Sequence, residues 1–165
     1  MPKRRDIRRL AMQVLYQLDL RNTVNPPPAD DLAGYLDDEH DNAPTRTEAA
    51  ELALAAWASR ADADKLVADL APDWPTHRQP PVDRAILRLA YHEITTGHAP
   101  VGVAINEAVE LSKNYAAEQS PAFINGVLDK LAKQLAGQLP DPLPAPPEKP
   151  NADAWLDDAV GNDAT

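Results

Sequence analysis

The chain has no cysteine, only six glycines, and aromatic side chains at 5% of its 165 residues. Without thiols, disulfides and thiolate chemistry are excluded, which suits a reducing compartment. With so few glycines, no glycine-rich loop is present to cradle a phosphate. The shortage of aromatics leaves Leu, Ile, Val and Ala to fill a core, a palette that favours helices. Alternating apolar runs of strand length are also missing, so the fold class reads as all-α. No apolar stretch approaches the ~20 residues needed to cross a bilayer. The charged N-terminus has no apolar run behind it and does not read as a secretory signal, so the expected location is cytoplasmic.

Catalytic signatures are equally scarce. The histidines at positions 40, 77, 92 and 98 show no metal-ligand spacing. His92 precedes Glu93 in a strongly apolar stretch and reads as a core histidine. The carboxylates are scattered, and no serine sits in a recognisable nucleophile motif. The sequence therefore points away from an enzyme and toward no metal and no cofactor.

What is present begins with residues 3–18. Ile7, Leu10, Ala11, Val14, Leu15 and Leu18 follow the i, i+3, i+4 rule of an amphipathic helix. Arg4, Arg5, Arg8 and Arg9 fall on the neighbouring arc, which Met12 and Tyr16 continue. Helix N-termini already carry partial positive charge. Four more cations there are easier to understand if an anion, such as a phosphate backbone, is the partner. Residues 1–22 carry a net +4 while the whole chain carries −10. A solvated helix end in an acidic protein would look the same by composition.

Further along, residues 29–38 read as a short acidic helix burying Leu32, Tyr35 and Leu36. Residues 39–44 form a loop ending at Pro44. Thr45 and Glu48 have capping-box spacing ahead of a helix over 46–60. A helix over 62–71 ends at Pro72, and the proline-rich stretch 73–81 joins the two halves. Val82–Ile94 is the most apolar helix, stopped by Gly97. A helix over 101–115 follows Pro100, and a last helix, with Ser120 as its N-cap and Pro121 at its first position, runs to about Leu135. Residues 140–165 hold six prolines, six acids and one lysine, and read as a disordered acidic tail. Within it, Ala154–Val160 has the look of a short docking motif or of a stray tryptophan.

Two runs then carry a family resemblance. Val103–Lys113 (VAINEAVELSK) and Phe123–Lys130 (FINGVLDK) closely resemble the transcription antitermination factor NusB family. Arg4-Arg5 through Tyr16 is similar to its arginine-rich first helix, and Val82–Arg88 to the opening of its central helix. The likeness spans about residues 3–136, with 22–80 matching in helical character alone. Asp6 and Arg9 depart from the usual pattern of the arginine stretch.

The resemblance implies about seven helices in two packed bundles. Residues 1–75 would form the N-terminal bundle and 76–137 the C-terminal one, with 138–165 as the tail. It implies binding of boxA-type single-stranded RNA from ribosomal RNA leaders. It also implies a heterodimer with the ribosomal protein NusE and joint action on RNA polymerase against premature termination, with no catalysis. Carried over by residue, RNA contacts fall on Arg4, Arg5 and Arg8, with Lys3 and Arg9 in the same basic stretch. Gln119 and Phe123 match RNA-surface positions, and Tyr16 and Asp83 match positions on the NusE side. Phe123 is either a stacking platform or ordinary core, and spacing alone favours core. Asn106 and Asn125 are expected to make buried inter-helix hydrogen bonds. Glu107 and Glu110 read as a solvated face or part of a protein interface. The arginines are expected off the apolar arc, so removing Arg4, Arg5 and Arg8 together should spare the fold. The other reading is an acidic helical protein-interaction module without an RNA role, its arginines pairing with an acidic partner or the tail. A NusB-like domain also occurs as an appendage of RNA cytosine methyltransferases, but no cofactor-binding glycine motif is present here.

Overall fold

The computed structural model of the chain describes residues 4–36, 42–137 and 144–145. Among these are seven α-helices and no strand: α1 (Arg4–Leu20), α2 (Ala29–Tyr35), α3 (Ala43–Ala58), α4 (Arg60–Leu70), α5 (Pro81–Thr96), α6 (Val101–Tyr115) and α7 (Ser120–Leu135). A single 3-10 turn, Thr76–Arg78, sits in the joint before α5. The all-α expectation and the helix boundaries of the C-terminal half agree with this closely.

Proline sets many of the helix starts. Pro44, Pro81 and Pro121 occupy the first or second position of α3, α5 and α7, where the missing N–H costs nothing. Pro44 therefore opens α3 and does not close the preceding loop. The cap of α3 is Asn42, whose Oδ1 accepts from both the backbone N–H and the hydroxyl of Thr45, at 3.0 and 2.8 Å. Thr45 lies inside the helix, so the expected capping box does not form. Gly97, at φ +69°, stops α5 in the left-handed conformation that glycine accepts without strain.

Helix α1 packs against α3 on one side and α5 on another. All six residues of its apolar arc are buried, and so are Arg8 and Met12. One continuous cluster of buried side chains runs from Ile7 and Leu15 through Ala53 and Leu89 to Ile124 and Leu131. Tyr35 departs from expectation, since 74% of it faces solvent. Trp57, buried in α3, lies beneath the guanidiniums of Arg60 and Arg88, at 4.2 and 5.5 Å from its ring centre.

Charged residues inside α5 tie the helices together. Glu93 is 2% exposed and accepts three hydrogen bonds from Arg8 of α1, at 3.0–3.1 Å. At the other end of α1, Asp19 accepts from Arg84 Nε at 2.8 Å and meets Arg88 at 3.4 Å. Arg88 also grips Asp64 of α4 with two bonds of 2.7 and 2.9 Å. These contacts fix α1 antiparallel to α5. Asp83, 3% exposed, accepts from the hydroxyl of Ser120 at 2.9 and 3.0 Å and joins the starts of α5 and α7. Ser120, expected as the cap of α7, is instead its first helical residue, and its hydroxyl serves Asp83. Burial pushes the Asp83 carboxyl above the usual carboxylate range, against the pull of the Ser120 hydrogen bond.

Other polar residues depart from expectation as well. Asn106 and Asn125 are exposed and make no buried inter-helix bonds. His92 is half-buried beside His98, with ring centres 6.4 Å apart, and Glu93 is the core residue of the pair. Burial, reinforced by the His98 charge, pushes His92 below its ordinary value.

Two outcomes follow from these buried charges. Glu93→Ala leaves the Arg8 guanidinium buried and unpaired, and should cost about 3–5 kcal/mol. The double change Arg8→Met with Glu93→Leu should fall near parental stability. Urea midpoints at constant m-value measure both. The Asp83 carboxyl titrates at higher pH in the folded chain than in the unfolded one. The unfolded chain releases this proton at lower pH, so the stabilising contribution is complete at low pH and fades as pH rises through the folded-state value. Asp83→Asn, which still accepts from Ser120, should therefore melt higher than the parent at pH 7. The advantage should close below about pH 4, near the ordinary aspartate value. Thermal unfolding of both proteins across that pH range checks it.

Candidate nucleic-acid interface

The N-terminal turn of α1 presents its arginines unequally. Arg4 has 65% of its side chain exposed and reaches Glu48 at 3.6 Å. Arg5 has 69% exposed, and donates from Nε and Nη2 to the two carboxylate oxygens of Glu107 at 3.1 and 3.0 Å. That hydrogen bond, and then the charge behind it, hold the Arg5 guanidinium above its ordinary value. Glu107 engages one edge of the fork, and the Nη1 edge still points away from it. Glu107 is thus part of an α1–α6 contact, with 18% of its side chain exposed, and not a freely solvated face. Arg9 is half-buried.

Arg8 differs from these. Its place beside the apolar arc predicts an exposed flank, but 9% of its side chain is exposed and the fork faces Glu93. The cause is the double packing of α1, which buries the flank as well as the apolar arc. Arg8 is therefore a structural ion-pair partner in this geometry, and removing it with Arg4 and Arg5 would not spare the fold. Lys3 lies outside the described residues, as do Ala154–Val160 and most of the tail.

Gln119 and Phe123 sit at the opposite end of α5. Ser120 binds Asp83 near the start of that helix, while Arg8 binds Glu93 ten residues later. At 1.5 Å per residue the two anchor points are about 15 Å apart along the axis. The structure thus brings the N-terminal arginines together with one another, and Gln119 together with Phe123, but does not merge the two groups into one patch. Gln119 is exposed. Phe123 is 6% exposed and stacks on Trp74, with ring centres 4.3 Å apart and planes at 17°. The core reading of Phe123 describes its position. Trp74, the half-buried member of the pair, escapes sequence reasoning because it lies in the proline-rich joint.

A groove of about 940 Å³ runs along the C-terminal half of α1. Tyr16, Leu18, Leu36, Val82 and Tyr115 line it, together with Tyr35. Tyr115 is 46% exposed, so three tyrosine rings border an apolar trough. Tyr16 belongs to this trough. Asp83 follows Val82 but is buried against Ser120, so it is not presented on the groove surface.

None of the described residues forms a cluster of His, Asp and Glu that would hold a metal ion. No helix among them is long and apolar enough to cross a membrane.

Comparison with known proteins fits this architecture. The NusB family model matches residues 5–133. The transcription antitermination protein NusB of Herpetosiphon aurantiacus is 38% identical over 135 residues, spanning 79% of this chain and 90% of that protein. The NusB of Symbiobacterium thermophilum is 39% identical over 141 residues, spanning 81% and 92%. Among solved structures, T. maritima NusB superposes with a TM-score of 0.69 at 28% identity, over 81% of this chain and 94% of that one. A crystal structure of the antitermination factors NusB and NusE in complex with dsRNA superposes with a TM-score of 0.64 at 25% identity, over 79% and 96%. With its whole helical body matched, this chain belongs to the NusB family of transcription antitermination proteins, which are not enzymes.

Proposed function

We propose that this protein binds boxA-type single-stranded RNA of nascent ribosomal RNA transcripts together with NusE. In this reading it supports processive transcription by RNA polymerase in the cytoplasm. The observation that carries the RNA half is the pair Arg4 and Arg5, both about two-thirds exposed at the positive end of α1. The Arg4–Glu48 pair is exposed and contributes little, so a phosphate can replace it at small cost, while Arg5 keeps its Nη1 edge for a phosphate beside its bonds to Glu107. The structural relative in complex with NusE and RNA supports both partners. For NusE, the trough bordered by Tyr16, Tyr35 and Tyr115 offers an apolar surface with polar rims, the composition of a protein interface.

Arginines supply phosphate attraction and little sequence information. Preference for one RNA sequence must then come from unpaired bases on aromatic or guanidinium planes, or from the NusE partner. The exposed Gln119 and the half-buried Trp74, backed by Phe123, lie along a second stretch of surface that a strand several nucleotides long would reach.

The test is fluorescence anisotropy with a labelled boxA-like strand and a scrambled strand, with and without NusE. A boxA preference that NusE strengthens is expected. Equal weak binding to both strands, unaffected by NusE, would favour the protein-interaction module. Arg4→Ala with Arg5→Ala should weaken binding while leaving the urea midpoint nearly unchanged. The slope of log affinity against log salt should become shallower by about 0.7 for each phosphate that is no longer neutralised.

A further inference from the structure

One hydrogen bond joins the helical body to the proline-rich segment beyond α7. The Trp74 indole Nε1–H donates to the carbonyl of Pro144 at 3.0 Å. Residues 140–147 contain five prolines, at 140, 142, 144, 146 and 147. Proline-rich chains favour the extended polyproline II form, whose carbonyls point outward without internal partners. An indole N–H donating to such a carbonyl, beside a second aromatic ring, is the chemistry by which proline-rich ligands are held on aromatic surfaces. Here Phe123, buried behind Trp74 with ring centres 4.3 Å apart, holds the indole in place. The occupant is thus a segment of the same chain, at a position that helical packing does not require.

We propose that the Trp74–Phe123 pair is a docking site for the chain's own proline-rich segment, held at Pro144. Docking there shields the Trp74 indole from RNA bases. The shielding half rests on the RNA-binding reading above, while the docking half does not. With its N–H edge engaged by Pro144 and one ring face stacked on Phe123, Trp74 has less left to offer a base, so the segment acts as an internal competitor. This differs from simple charge competition, because it depends on an indole and on proline and is only weakly sensitive to salt.

The experiment uses the full-length chain with an NMR-visible indole nitrogen. Trp57, Trp74 and Trp155 give three indole signals, and Trp74→Phe, which keeps a ring against Phe123, identifies one of them. A second variant replaces the prolines at 140, 142, 144, 146 and 147 by glycine, which raises the freedom given up on docking. The Trp74 signal should then move to the position of a water-exposed indole and exchange faster with solvent. An unchanged Trp74 signal would overturn the docking proposal. The same glycine variant should bind single-stranded RNA about tenfold tighter, on the order of one recovered base stack. A moved indole signal with unchanged RNA affinity would overturn the shielding. Absence of RNA binding by both proteins would instead count against the RNA reading, with docking still judged from the indole.

Discussion

The hydrogen-bonded ion pair between Arg8 and Glu93 organises the molecule more than any single apolar contact. It lies where α1 crosses the later turns of α5, and both side chains are withdrawn from water. Neither charge is tolerable there alone, so the pair fixes which turn of α1 faces which turn of α5. Asp19 repeats the logic at the far end of α1 through Arg84 and Arg88. Apolar packing between two Leu-rich helices is permissive about register, since one leucine resembles another. Paired charges at both ends remove that freedom. Whether they add net stability is secondary, because buried pairs often contribute little beyond what apolar residues of similar size would give. Their effect here is to choose one arrangement among several of similar packing energy.

That choice divides the arginine stretch by function. Arg8 is held inward by Glu93, and Arg4 and Arg5 remain on the surface with weaker acidic partners. Exposure and pairing thus separate residues that look equivalent in sequence. Because α1 and α5 are antiparallel, the exposed arginines also lie far from Gln119 and the Trp74–Phe123 stack, which sit beside the start of α5. A ligand touching both must run along the molecule. A small anion would meet one end only, whereas a polymer with repeated charges suits the spacing.

The helical architecture is legible in the sequence because its signals there are strong. The apolar stripe of α1, Gly97 after α5, Pro100 before α6 and Pro121 in the first turn of α7 each mark a local event that tertiary packing does not overrule. The arginine-rich turn and the two long family runs also locate one end of the candidate surface. Burial of polar residues is what periodicity misjudges. Arg8 looks exposed by its distance from the apolar arc, but α1 has two packed sides, and a helical wheel records only one stripe. A clue lies in α5, where Asp83, Arg88 and Glu93 interrupt an otherwise apolar helix. Charges in such a helix require partners, and an arginine followed by Met12 and Tyr16 on its own face is a candidate. Asn106 and Asn125 mislead in the opposite direction, since a poor helix former is also tolerated on an exposed face. Trp74 is invisible because no periodicity exists in a proline-rich joint. Its partner Phe123 lies 49 positions away, so only folding brings the rings together.

The charge distribution limits how an RNA-binding protein of this kind can work. Residues 1–22 are basic, and the remainder carries enough acid to make the whole chain −10. Attraction for a polyanion is thus concentrated at one helix end. Nonspecific affinity, which grows with the number of phosphates neutralised, is therefore held low. Useful affinity must then come from short-range contacts, such as bases on rings or a second protein that adds its own charge. The tyrosine-bordered trough and the half-buried Trp74 are places on the described surface with that capacity. An indole engaged by the Pro144 carbonyl fits the same logic. Where long-range attraction is weak, covering one short-range site changes the occupancy of the whole ligand, and a neutral proline segment can do so without adding charge at the site.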